Sequence, residues 1–164
     1  EAEAAIGFLS RSPLGASIEL PGPVGERNLY SLRPRGHVAA LARTGSGLLV
    51  QIAAILATGN IALVENGNPA AASLDDLPAD LAARLIRLDH WGAYRHLQGV
   101  LFEGEDADRL ALLREVAARD GAILPVQANR PGLVEYDLTR LVEECAISTN
   151  TAAAGGNASL MSIG

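Results

Sequence analysis

Hydrophobic and polar positions change rhythm several times along the chain, and each change marks an element. Residues 1–5 alternate acid and alanine, as a helix end arriving from upstream would, and 1–15 is expected to be a linker. In 16–20, Ile18 and Leu20 alternate with Ser17 and Glu19, which predicts a short strand. Pro21-Gly22-Pro23 forces a turn. Residues 29–33 read as the return strand, closed by Pro34-Arg35-Gly36, so 16–33 is expected to project as a hairpin. From His37 the pattern turns compactly apolar. Residues 37–42 predict a buried strand, Thr44 to Gly47 break it, and 48–57 are apolar all round except Gln51. That stretch is a buried helix stopped by Thr58-Gly59-Asn60. With 61–64 as a second apolar strand, the order is strand, helix, strand, which requires parallel pairing.

The second half continues the alternation. Ser73 with Asp76 three residues on is a helix start, and Leu81, Leu85 and Leu88 mark one face with Arg84 and Arg87 outside. Residues 99–102 predict a strand. Asp106 is expected to cap a helix that buries Leu110, Leu113, Val116 and Ala117, turns Arg109, Arg114 and Glu115 outward, and ends at Gly121. Residues 122–126 predict a strand that Pro125 confines to a sheet edge. Asp137 is expected to cap a last helix carrying Leu138, Leu141, Val142 and Cys145. The alternation as a whole predicts an α/β, Rossmann-like parallel sheet. Residues 146–164 differ: no side chain there is ionisable or aromatic. Such a segment is either a disordered end or a strand laid into a groove, anchored by Leu160, Met161 and Ile163.

Composition narrows the classes. The 164 residues are 49% hydrophobic and 20% charged, enough for one packed domain. No run reaches the roughly 18 apolar residues of a membrane span. A net charge of −6 and 4% aromatics argue against nucleic acid as a partner. One cysteine excludes a disulfide framework and a multi-cysteine metal site. A first residue of Glu1 rather than Met leads us to expect a piece of a longer intracellular protein.

Four groups of residues invite a chemical reading. Gly45-Ser46-Gly47 follows a strand and opens a helix, with Glu65 at the end of the next strand, as in a dinucleotide fingerprint. Val50, however, holds the third glycine position, and an ordinary βα turn explains the same residues. Cys145 falls on an apolar stripe beside Glu143 and Glu144, so it reads as a core cysteine rather than a nucleophile. His90 and His96 are six apart, the wrong spacing for one helix face, and with Asp89, Trp91 and Tyr94 they predict a packing surface instead of a metal site. Asp75-Asp76 and Glu105-Asp106 are acid pairs suited to helix starts. None of these assembles an active site.

Two stretches carry a resemblance. Residues 34–38, QIAAILATGN at 51–60 and 61–64 resemble the nucleotide-binding domain of the aldehyde dehydrogenase superfamily. Residues 148–164, STNTAAAGGNASLMSIG, resemble the extreme C-terminus of the proline utilization A family, and GPVGERN at 22–28 fits the same region. The resemblance implies a bifunctional parent with an FAD-dependent proline dehydrogenase domain and an NAD-dependent glutamate semialdehyde dehydrogenase domain. It implies that 16–147 is an additional aldehyde dehydrogenase-like domain and 148–164 a tail motif. In that family such a domain covers the tunnel between the two active sites and supports the second one. The implied docking residues are Asn150, Thr151, Gly155, Gly156, Asn157, Leu160, Met161 and Ile163. The implied partners are the catalytic domains of the same polypeptide and a homo-oligomer. The implied location is the cytoplasm, with peripheral membrane association of the parent as a further expectation. Departures from a working dehydrogenase predict no catalytic residue and no cofactor or metal of its own. The loop at 43–47 is short, Glu65 replaces a ribose-contacting lysine, and Cys145 lies outside any catalytic-cysteine loop. Gly45, Gly47 and Glu65 are the residues that a cofactor would use in the alternative, a dinucleotide-binding regulatory module. An oligomerisation module is a third possibility.

Overall fold

The computed structural model describes residues 2–133 and 135–151. Helix α1 (Ala2–Arg11) precedes a hairpin of β1 (Ser17–Leu20) and β2 (Glu26–Pro34). The α/β body then runs β3 (His37–Leu41), α2 (Gly45–Ala57), β4 (Ile61–Glu65), α3 (Ala79–Ala82), β5 (Leu85–Leu88), β6 (Leu97–Glu103), α4 (Asp106–Ala117) and β7 (Val126–Asn129). Last among the described residues is β8 (Val142–Asn150). The five body strands form a parallel sheet in the order β5-β4-β3-β6-β7. The remaining three form a separate antiparallel sheet, β1-β2-β8.

Strand periodicity explains the core. Val38 and Ala40 of β3, Ala62 and Val64 of β4 and Leu101 of β6 face one way, against α1 and α2. Ala39, Leu63, Val100 and Phe102 face the other way, onto Trp91 and Leu112 of α4. Helix α2 is apolar all round because it is enclosed: Leu48, Val50, Gln51, Ile52, Ala54 and Ile55 are all buried. Thr44 caps its start by accepting from Gly47 N, and Gly59 leaves it at φ +74°, a left-handed conformation open to glycine.

Asn60 couples the two sheets. Its Oδ1 accepts from Gly36 N at 2.8 Å, and its Nδ2 donates to Leu141 O at 2.7 Å and Thr58 Oγ1 at 2.8 Å. Gly36 begins the body after β2, and Leu141 immediately precedes β8. One buried amide therefore fixes where β2 and β8 meet the body.

Five expectations need correction. Residues 81–88 do not form a helix: α3 is a single turn, and Leu85–Leu88 pair with β4 as an edge strand, because sheet pairing outweighs a weak helical pattern. In α4 the buried residue is Leu112, while Leu110 and Leu113 are exposed; the helix docks one position away from the face read in the sequence. Its cap position is Glu105 rather than Asp106. Asp137 does cap, accepting from Thr139 N, but the element it starts is one 3-10 turn, Leu138–Leu141, after which the chain extends as β8. The strand expected at 122–126 forms later, at Val126–Asn129, and lies at the sheet edge, with Pro125 just outside it.

Candidate functional site

The β3–α2 loop is the place where a Rossmann-like fold presents backbone N–H groups to an anion. Here the anion is internal. Glu103, at the end of β6 and 2% exposed, points its carboxylate into the loop. Oε2 accepts from Arg43 N and Thr44 N, each at 3.0 Å, and Thr44 Oγ1 donates to the same carboxylate at 3.0 Å. Thr44 Oγ1 in turn accepts from Gly47 N at 3.0 Å. A Cβ on Gly47 would fall inside the Glu103 carboxylate, so Gly47 makes room for a neighbour within the fold. Gly45 is pressed against Ser73, whose Oγ donates to Gly45 O at 3.4 Å. Neither glycine points its missing side chain into open space.

Beside this loop lies a cleft of about 490 Å³ at the carboxyl ends of β3, β4 and β6. It is lined by Arg43, Glu65, Asn68, Trp91, Asp108 and Glu115 among others. Its charged side chains are mutually engaged. Arg43 meets Asp108 at 2.7 Å. Glu65 Oε1 accepts from Trp91 N at 3.0 Å and sits 3.0 Å from His90 Nδ1, while His90 Nε2 lies 3.1 Å from Glu115. The place corresponds to a cofactor cleft, but its donors and charges do not fit a dinucleotide. The pyrophosphate seat holds a carboxylate, and three acids face the cleft against one arginine.

Behind Glu103, Gln51 Nε2 donates to Tyr136 Oη at 2.9 Å. Burial pushes the Tyr136 phenol up to about 12; the Gln51 hydrogen bond opposes that shift and the nearby Glu103 charge adds to it. Gln51 Oε1 is buried with no hydrogen-bond partner among the described residues.

The second feature is the projecting sheet. β2 pairs with β8 without a break from Glu26↔Asn150 to Pro34↔Val142, and Thr151 N donates to Gly25 O at 2.8 Å beyond the last pair. Asn150 and Thr151 therefore extend the hairpin. Gly155, Gly156, Asn157, Leu160, Met161 and Ile163 lie outside the described residues. Cys145 belongs to this sheet, opposite Ser31, and is partly exposed; the core-helix reading fails because the segment is extended. Ile18, Leu20 and Ile147 are exposed on the sheet. Tyr30 hydrogen-bonds Glu144, which raises its phenol above the ordinary value.

The other candidates resolve as packing. Tyr94 meets His37 at a tilt and His96 edge-on, and His90 serves the Glu65–Glu115 clasp. Asp106 pairs with Arg109 and Arg130. Asp75 closes the 3-10 turn Pro69–Leu74 instead of opening a helix. Among the described residues no group of three His, Cys, Asp or Glu is placed so that it could hold a metal ion, and no helix is long and apolar enough to cross a membrane. Sequence reasoning missed Glu103, Asn60 and Tyr136. The available signal for Glu103 was an acid ending the apolar run Val100-Leu101-Phe102.

No family model matches the chain. A curated relative, the bifunctional protein PutA of Rhizobium meliloti, is 47% identical over an alignment of 170 positions that covers all of this chain. The chain is a PutA-homologous domain. The Escherichia coli K12 PutA is 41% identical across 88% of the chain. The domain spans 14% and 11% of these two PutA proteins. Among solved structures, a Bradyrhizobium japonicum proline utilization A (PutA) variant aligns with TM-score 0.58 and 24% identity, covering 77% of this chain and 15% of its own. An aldehyde dehydrogenase from Brucella melitensis aligns with TM-score 0.53 and 16% identity, covering 79% of this chain and 29% of its own. These two establish the fold: the PutA-homologous domain is built like part of an aldehyde dehydrogenase.

Proposed function

We propose that this domain is the non-catalytic C-terminal part of a bifunctional enzyme that oxidises proline to glutamate through pyrroline-5-carboxylate. In this reading it docks on the catalytic domains of its own polypeptide and closes the channel that carries the intermediate between them. The flavin and the nicotinamide cofactor belong to those other domains, and the parent works in the cytoplasm. The observation that carries the reading is the β2–β8 ladder, which extends the hairpin into a projecting sheet as far as Asn150, with Thr151 bonded just beyond it. All four residues of β1 are exposed, and β8 is exposed over most of its length. Antiparallel sheets ordinarily bury one face, so such a sheet is suited to packing against something outside the domain. In this reading Asn150 and Thr151 align the tail, Gly155, Gly156 and Asn157 let its backbone approach closely, and Leu160, Met161 and Ile163 anchor it. Sealing a tunnel keeps the intermediate at high local concentration and away from bulk water.

Truncating the full-length parent after Thr151 tests this. The expected outcome is a lag in NADH formation from proline, with proline dehydrogenase activity measured alone unchanged. Coupled turnover without a lag would remove the lid role.

A second reading, a dinucleotide-binding regulatory module using Gly45, Gly47 and Glu65, rests on the position of the cleft at the carboxyl ends of β3, β4 and β6 and is opposed by the carboxylates that line it. Calorimetric titration of NAD into the 164-residue chain separates the two. Saturable heat supports the module, and its absence at millimolar cofactor supports the scaffold. A third reading, self-association through the projecting hairpin and the tail, is tested by light scattering across a concentration series.

A further inference from the structure

We infer that Glu103 is a built-in substitute for a phosphate, and that it closes the anion seat this fold would otherwise offer. Three observations converge on it. The 13-residue helix α2 has no acidic side chain in its own first turn, so its positive end is left for an anion from elsewhere. Glu103 supplies that anion from a different strand, taking the Arg43 and Thr44 N–H groups and the Thr44 hydroxyl. Gly47 has no room for a Cβ because the carboxylate fills the space, although Arg43, Thr44 and Ser46 around it are exposed to solvent. Removing the carboxylate would leave these donors unengaged beneath the exposed residues Arg43, Thr44 and Ser46, where a small anion could take its place. The inference stands on this geometry and is independent of the lid role.

The test uses the 164-residue chain, inorganic phosphate and pyrophosphate. The wild-type protein is expected to show no saturable phosphate-dependent change in melting temperature. Glu103→Ala frees the donors while leaving the loop intact. Its melting temperature should fall in anion-free buffer and then climb by about 3–5 °C for each tenfold rise in phosphate above Kd. Glu103→Gln keeps the volume filled and should melt lower than wild type without responding to phosphate. If Glu103→Ala is unfolded in anion-free buffer, phosphate is expected to fold it. Saturable phosphate binding by the wild type would overturn the inference. So would a Glu103→Ala protein that gains neither stability nor structure from either anion.

Discussion

Replacing Asn60 with alanine should loosen the projecting sheet more than the body that carries it. The substitution removes the acceptor for Gly36 N and the donors to Leu141 O and Thr58 Oγ1. The losses are unequal. Gly36 N has no second partner among the bonds described, Leu141 O keeps a long contact of 3.4 Å from Arg35 N, and Thr58 Oγ1 still donates to Ala54 O and Ile55 O at 3.0 Å. A buried group left without a partner costs about 1–3 kcal/mol, so one full and one partial loss amount to roughly 2–3 kcal/mol. For a chain of this size that corresponds to about 5–10 °C in Tm. Circular dichroism melting gives the total, and hydrogen exchange by mass spectrometry gives its distribution. Exchange should accelerate in β2 and β8 before β3 and β6. Asn60→Asp keeps an acceptor for Gly36 N but turns a buried carboxylate toward the Leu141 carbonyl, and should be no better than alanine. A Tm loss under about 2 °C, or loosening spread evenly over both sheets, would show that Asn60 does not join them.

Three further outcomes are expected. Tyr136→Phe leaves Gln51 Nε2 buried without its acceptor and should cost about 1–3 kcal/mol in urea unfolding, with Gln51→Met in the same chain recovering most of it. Tyr136 binds its proton more tightly when folded, at about 12 against an unfolded value of about 10. Its contribution is therefore complete below pH 10 and is lost as pH rises through 12. The loss is about 2–3 kcal/mol, read from unfolding curves alongside ultraviolet titration of the phenols. Leu112→Ala should cost about 2–4 kcal/mol and Leu113→Ala less than about 1, since the first is 6% exposed and the second 40%. Equal losses by thermal melting would restore the helix face read from the sequence.

The parts legible in the sequence were those whose neighbours are also near in the chain. The β3–α2–β4 unit could be read because apolar runs, a break at 44–47 and a glycine stop all lie within 37–65 and agree with one another. The edge position expected for this strand is the one β7 occupies, although Pro125 falls just before it. Residues 85–88 and 142–150 were misread because their partners are remote. Leu85 and Leu88 fit a helix face until β4 offers a parallel edge, and Cys145 fits an apolar stripe until β2 pairs with it. The candidate site was legible by position and illegible by content. Gly45, Gly47 and Glu65 do lie where a cofactor cleft belongs, but Glu103 reaches the loop from 59 residues away, and no local pattern announces a carboxylate in that seat.

The antiparallel sheet also imposes an order of assembly. Ser31 and Cys145 are neighbours in space and 114 residues apart in sequence. During synthesis, β1 and β2 can form a bare hairpin early, but β2 gains its second neighbour only after every strand of the parallel sheet has been made. Because long-range closure is entropically costly, β8 should join late, onto a body already folded. A ribosome-stalled or proteolysed chain ending before Val142 would carry a folded body with an incomplete sheet. The projecting surface is then a completion mark, present on finished chains and missing from partial ones.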